Sequence, residues 1–197
     1  MNFDISVLLK FNVIDTCSVW NIISASCIYN ASLEAGFTYS MSTYVAYECL
    51  YKKRNHTNIE NLRGKLKSEI SKNKFNSYNL SIDDLQDITV LEGIKRLGIG
   101  ELSSIALAKK TNQTFLTDDR KARKLGEEIL GKDRVQTTPR MVGTFFYHRY
   151  LIDSHLSVLL QEHQASLTSK WGDLTDFFTS IYQESLRRRL IDSKSTS

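Results

Sequence analysis

Apolar positions along the chain switch repeatedly between a strand-like run and a helical period. Phe11 to Ile14 is a short β-favouring run that ends in Asp15. Thr16, Cys17 and Ser18 then lead into the set Val19, Ile22, Ile23 and Cys27, which predicts a strand, a turn and one capped helix. Phe37 to Met41 is a second, aromatic-rich strand, and Ser42-Thr43 caps a helix that buries Val45, Ala46, Cys49 and Leu50 and carries Glu48. From Lys52 to Phe75 the chain is polar, with Ile59, Leu62, Leu66 and Ile70 at helical spacing, which predicts a surface helix. Tyr78 to Ser81 reads as a short strand. Asp83 to Leu97 reads as an amphipathic helix through Leu85, Ile88, Leu91 and Ile94.

After the break at Gly98-Ile99-Gly100, Glu101 to Lys110 is a packed helix and Gln113 to Leu116 a strand running into Thr117-Asp118-Asp119. Arg120 to Leu130 is helical, Val135 to Thr137 is a last short strand, and Pro139 opens a helix in whose first turn proline is tolerated. Two helices follow from about Ser154, the second with Leu174, Phe177, Phe178, Ile181 and Tyr182 on one face, and only Ser193 to Ser197 reads as frayed. Strand and helix therefore alternate. That predicts an α/β fold, a three-layer α/β/α arrangement with a central parallel sheet, over residues 1–153, followed by a helical C-terminal extension over 154–197 packed on it or on a partner. There is no internal repeat.

Composition narrows the class further. Of 197 residues, 41% are apolar and 24% charged, with a single proline, which excludes a disordered, collagenous or turn-rich all-β chain. The net charge of +4 permits a polyanionic partner without requiring one. Cys17, Cys27 and Cys49 are odd in number and lack CxxC spacing, so we read them as reduced thiols of a cytoplasmic protein, with Cys17 a small buried apolar residue. The N-terminal residues lack the apolar run of a signal peptide, and no segment approaches the ~20 apolar residues of a membrane span. The expectation is a soluble protein with no membrane partner.

The candidate chemistry lies in the acids. In an open parallel sheet, functional groups collect beyond the carboxyl ends of the strands, where strand order reverses. Two predicted strands end in acids, Asp15 and the Asp118-Asp119 pair, and Glu48 and Glu101 lie on neighbouring helices. Four carboxylates in one cleft cannot all stay ionised without cations, and hard oxygen-loving ions such as Mg²⁺ or Mn²⁺ are the natural counter-charge.

These residues also resemble a known family. Val13-Ile14-Asp15-Thr16-Cys17-Ser18, then Gly100-Glu101-Leu102-Ser103-Ser104-Ile105-Ala106-Leu107-Ala108, then Phe115-Leu116-Thr117-Asp118-Asp119-Arg120-Lys121-Ala122-Arg123, are similar in order and spacing to the successive signatures of PIN domains. The resemblance covers residues 11 to 150. It implies a small α/β/α nuclease that hydrolyses RNA, or structured DNA, with one or two Mg²⁺ or Mn²⁺ ions and leaves 5′-phosphate and 3′-hydroxyl ends. Carried over by position, Asp15, Glu48, Glu101 and Asp119 are the catalytic acids, and Asp15, Glu101, Asp118 and Asp119 the metal ligands, with Asp119 in the place of the acid in the family's Thr-x-Asp pattern. The third acid is Glu where the family more often has Asp, and Glu48 rests on spacing; Asp83, Asp84 and Asp87 are the substitutes.

Thr16 or Ser18 would hydrogen-bond a ligating carboxylate or a phosphate, and Arg120, Lys121, Arg123 and Lys124 would hold the substrate backbone. Minimal toxins of toxin–antitoxin pairs share this architecture, so the resemblance also implies a stress or defence ribonuclease with an inhibitory antitoxin or a homodimer as protein partner. The alternative is a catalytically inactive PIN-like module that binds RNA or a protein. A phosphotransfer domain using Asp15 as nucleophile carries less weight, because it requires a downstream strand-end lysine.

Each acid has an ordinary explanation too: Asp15 and Asp118 as helix caps, Glu101 and Asp119 as first-turn residues favoured by the helix dipole. His148, His155 and His163 are not spaced as a metal-binding pair and read as structural or surface residues. Phe145, Phe146, Tyr147 and Tyr150 read as core. Lys52-Lys53-Arg54 and Arg187-Arg188-Arg189 read as solvated charge.

Overall fold

The computed structural model describes residues 4–53, 58–86, 97–167 and 173–195. Five strands, β1 (Phe11–Ile14), β2 (Thr38–Ser42), β3 (Phe75–Tyr78), β4 (Thr114–Leu116) and β5 (Val135–Gln136), form one sheet in the order β3-β2-β1-β4-β5. Every pairing is parallel. The described residues also form helices α1 (Thr16–Ser24), α2 (Ser26–Glu34), α3 (Thr43–Leu50), α4 (Ile59–Ser71), α5 (Ile99–Thr111), α6 (Arg120–Leu130), α7 (Thr138–Tyr147), α8 (His155–Ser166) and α9 (Thr175–Ser195), of which α3, α4, α5 and α6 pack on the sheet. This is the α/β/α class that the alternation predicts. Consecutive buried residues in the central strands, Asn12, Val13 and Ile14 on β1 and Tyr39, Ser40 and Met41 on β2, require both sheet faces to be covered.

The chain divides into two compact units. The first comprises Phe11–Trp20 and Thr38–Thr137 and holds the whole sheet. Its core joins Val13 and Phe115 to Ile105, Leu107, Leu125 and Val135. Gly126 lets α6 lie against β4, since a Cβ there would stand 2.8 Å from the Phe115 ring. Inside the sheet, the Gln136 side-chain amide donates to the Asn12 side chain, so this buried polar pair on β1 and β5 is matched.

The second unit comprises Met1–Lys10, Asn21–Phe37 and Thr138–Ser197. Here α9 packs along α7, and Gly143 leaves the space that Ile181 fills. The buried His163 on α8 pairs its Nδ1 with the Ser24 hydroxyl at 2.9 Å, and its Nε2 accepts the Leu174 amide at 3.3 Å. Phe145 and Phe146 are fully buried core, as expected.

Several expected boundaries move, each for a local reason. The single helix expected through Cys27 is two, because the Ser24 hydroxyl turns back to the Asn21 carbonyl and Ala25 is extended, at φ −119° and ψ 117°. The helix expected from Lys52 to Phe75 ends at Ser71, where Asn73 takes a left-handed φ of 56° and its amide caps the Ile70 carbonyl. Phe75 instead starts β3, stacked on Tyr39 with ring centroids 5.1 Å apart, so the third strand lies at 75–78 and not at 78–81. Residues 82–86 are helical, and the rest of the helix expected to Leu97 lies outside the described residues, Asp87 included. On α9, Phe177 is 62% exposed while Phe178 is buried, and the helix continues through Ser195, into the stretch expected to fray, of which 196–197 lie outside the described residues. Among the described residues, no helix is long and apolar enough to cross a membrane.

Candidate functional site

Strand order places the reversal between β1 and β4, and the paired residues Ile14 and Leu116 set their ends level. The next residues, Asp15 and Thr117, are therefore neighbours at the carboxyl edge, and the Asp15 amide donates to the Leu116 carbonyl at 3.3 Å. Asp15 then caps α1: its Oδ1 accepts the Ser18 amide at 2.8 Å and its carbonyl accepts the Val19 amide at 3.0 Å. Its Oδ2 accepts the Thr117 hydroxyl at 2.5 Å. The carboxyl is almost completely buried, and desolvation pushes its pKa up to about 7 against the pull of these hydrogen bonds, with the charge of Asp118 adding to the rise.

Three further acids act electrostatically on the same helix start. Cys17, two residues into α1, is exposed, which corrects its expected burial. Its thiol is pushed far up by desolvation and then by the carboxylates of Asp15, Asp118, Glu101 and Asp119. Asp119 is the N-cap of α6, not a first-turn residue: its Oδ1 accepts the Lys121 and Ala122 amides, each at 2.8 Å, while the Thr117 hydroxyl accepts the Asp119 amide at 3.2 Å. Thr117 therefore ties Asp15 to the cap of α6. Glu101 lies in the first turn of α5, its Oε2 folded against Gly98, where a Cβ would stand 2.5 Å away.

Glu48 reaches the site from α3. Its Oε2 accepts the Thr16 hydroxyl at 2.7 Å, and its Oε1 pairs with Lys52 at 2.8 Å, one helical turn on. The carboxylate rests on the N-terminal turn of α5 because position 100 is glycine: a Cβ there would lie 2.8 Å from Oε2. The N-termini of α1, α5 and α6, whose orphan amides carry partial positive charge, all meet these acids. Thr16 donates to the Glu48 carboxylate and to no described metal ligand. Ser18 is fully buried, and its amide holds Asp15. Arg120, Lys121 and Lys124 are exposed and Arg123 half-buried on the first turns of α6, where cations run against the helix dipole.

Of the substitute acids, Asp84 is used elsewhere. It accepts the amide and hydroxyl of Ser81 and pairs with Lys110 at 2.7 Å, and those hydrogen bonds draw its pKa down to about 2. Lys110 stands nine residues beyond Glu101 on α5, about 14 Å along the helix. Asp83 is exposed.

No family model, curated protein or solved structure matches the chain. The site is therefore read from its own geometry. Among the described residues, no three His, Cys, Asp or Glu side chains stand close enough to share one ion. The carboxylates surround the point without closing on it. The donor set is nevertheless all hard oxygen and carries excess negative charge around a buried acid, which is chemistry that suits a hard divalent cation.

Sequence reasoning missed Thr117, Gly100 and Lys52 as parts of the site. Lys52 had a signal, the i, i+4 spacing from Glu48, while the roles of Thr117 and Gly100 depend on which elements meet at the sheet edge.

Proposed function

We propose that the chain is a divalent-metal-dependent endoribonuclease of PIN-like type. One observation carries the reading: a buried Asp15 at the topological switch point whose pKa is pushed up to about 7, with Asp118, Glu101 and Asp119 acting on the same thiol beside it. A carboxylate this unfavourable when unpaired is what a bound cation would relieve.

In this reading Asp15, Glu101, Asp118 and Asp119 would hold Mg²⁺ or Mn²⁺ partly through bound water, since no three of the described acids stand close enough to share one ion directly. When bound, the ion supplies the Lewis acidity that makes water nucleophilic near neutral pH and offsets charge on a phosphodiester. The protein's own part is positional. Thr117 and the Ser18 amide fix the Asp15 carboxylate, so its geometry does not change as charge arrives. Thr16 and Lys52 orient Glu48 by engaging one carboxylate oxygen each, and in this reading a remaining lone pair would accept a proton from water. The capping bonds of Asp119 anchor α6, whose Arg120, Lys121, Arg123 and Lys124 bind the phosphates on either side of the scissile bond. RNA is the preferred substrate and structured DNA the second; a homodimer or an inhibitory antitoxin-like protein is the partner this type of nuclease would have.

A second reading is favoured by a specific observation: Glu48 is neutralised by Lys52, Asp119 is engaged as a cap, and the acids do not close on one point. It makes the chain an inactive PIN-like module that binds RNA or a protein. Cleavage of labelled single-stranded RNA and DNA with Mn²⁺, Mg²⁺ or EDTA separates the two. The nuclease reading predicts metal-dependent cutting that Asp15→Asn and Asp119→Asn each reduce by about a hundredfold or more. No cutting by folded, partner-free protein supports the binding module, and cutting that survives both substitutions contradicts this site.

A further inference from the structure

Helix α3, which carries Glu48, also presents an unusual row of aromatics to solvent. Tyr44, Tyr47 and Tyr51 are 42%, 61% and 66% exposed. Single exposed aromatics are ordinary, but three at i, i+3 and i+7 on and just beyond an eight-residue helix make a continuous strip. The Tyr47 and Tyr51 rings lie side by side, centroids 6.0 Å apart and planes 33° apart. At about 100° per residue, Tyr44, Tyr51 and Tyr47 fall about 40°, 60° and 100° round the helix from Glu48, all on the same side. The strip therefore borders the acidic site.

The charge around it has one sign left over. Exposed Lys53 follows the strip, and exposed Lys65 and Lys67 lie on α4, which packs on α3. The neighbouring acids Glu48 and Glu60 are paired with Lys52 and Arg63. The Arg63 guanidinium also holds the carbonyls of Cys49 and Lys52, which fixes the turn that presents Tyr51. Flat, exposed π-faces, with exposed Lys53, Lys65 and Lys67 that make no ion pair among the described residues on and just beyond the same pair of helices, match a polyanion with accessible bases: unstacked bases lie on the rings while the cations meet the backbone phosphates. A duplex keeps its bases inside and offers the rings nothing to stack on.

We propose that Tyr47 and Tyr51, continued by Tyr44, form a stacking shelf that selects single-stranded RNA and leads it to the acidic site. The proposal rests on the nuclease reading for its destination, but its binding step does not require cleavage.

The test is fluorescence anisotropy in EDTA with a labelled unstructured RNA of about 12 nucleotides and with the same strand in a duplex. The single strand is expected to bind more tightly, and the Tyr47→Ala/Tyr51→Ala pair to weaken it by about tenfold or more while leaving the duplex unchanged. Tyr→Phe at both positions is expected to restore binding and Tyr→Leu to fail, because stacking needs the ring. Both positions are exposed, so equal melting temperatures are expected across the set. The shelf is overturned if the alanine pair binds as wild type, if leucine serves as well as phenylalanine, or if the wild type prefers the duplex or binds neither. Tyrosine-dependent binding without metal-dependent cutting retires the nuclease reading and keeps the shelf; cutting that ignores the tyrosines does the reverse.

Discussion

Asp15 concentrates the tension in the molecule. Folding moves its pKa from 3.8 up to about 7, so between those values the folded protein holds a proton that the unfolded chain releases. By linkage, its contribution to stability is greatest near pH 4 and falls as pH rises toward 7. Asp15→Asn keeps an acceptor for the Ser18 amide without the charge, so in EDTA it should stabilise the fold by about 1 to 3 kcal/mol at pH 8, the gain vanishing toward pH 4. Urea melts of both proteins at the two pH values check this, and a variant destabilised at pH 8 contradicts it. Gly100 gives a second, opposite kind of test. Gly100→Ala places a methyl 2.8 Å from Glu48 Oε2, and the end of a flexible side chain moves easily, so stability should change by less than about 1 kcal/mol. Metal-dependent cleavage should nevertheless fall about tenfold, and an unchanged rate would remove Glu48 from the machinery.

The elements show what a sequence carries and what it does not. Asp15 and Asp119 were legible because strand end, acid and helix start are contiguous, and the local rules for capping act on contiguous residues. Glu48 could be placed only by spacing, because its seat on Gly100 joins residues 52 positions apart in the chain. Phe75 leaves the helix because it stands five residues beyond Ile70, off the face shared by Ile59, Leu62, Leu66 and Ile70, and its stacking on Tyr39 from another strand takes it into the sheet. His163 is similar: nothing local announces that it holds α8 to Ser24 and to the segment before α9. Because Nε2 accepts the Leu174 amide, Nδ1 carries the proton and donates to Ser24, so the bonding requires a neutral ring. Burial lowers its pKa below the usual 6.5, partly offset by Asp173. The unfolded chain takes up this proton first, and stability from His163 falls as pH drops below about 6.5. Asp15 works in the opposite direction over that range, so the comparison must be between variants. The stability difference between wild type and His163→Gln should shrink from pH 7.5 to pH 5, as read by denaturant melts; a constant difference would show that the ring is not held neutral.

At the scale of the whole molecule, an excess of cations coexists with a concentrated group of acids. The chain carries a net +4, yet Asp15, Asp118, Asp119 and Glu101 all act electrostatically on the start of α1, with the basic first turns of α6 following Asp119. A polyanion is attracted by the first feature and repelled by the second unless a cation lies between. The central claim is therefore that these acids hold a divalent ion, and titration calorimetry with Mn²⁺ tests it most directly. Saturable binding is expected, strengthening from pH 6 to pH 8 because the ion displaces the Asp15 proton, and weakening about tenfold or more in Asp15→Asn. Absence of saturable binding to the folded protein, or binding that Asp15→Asn leaves unchanged, would contradict it.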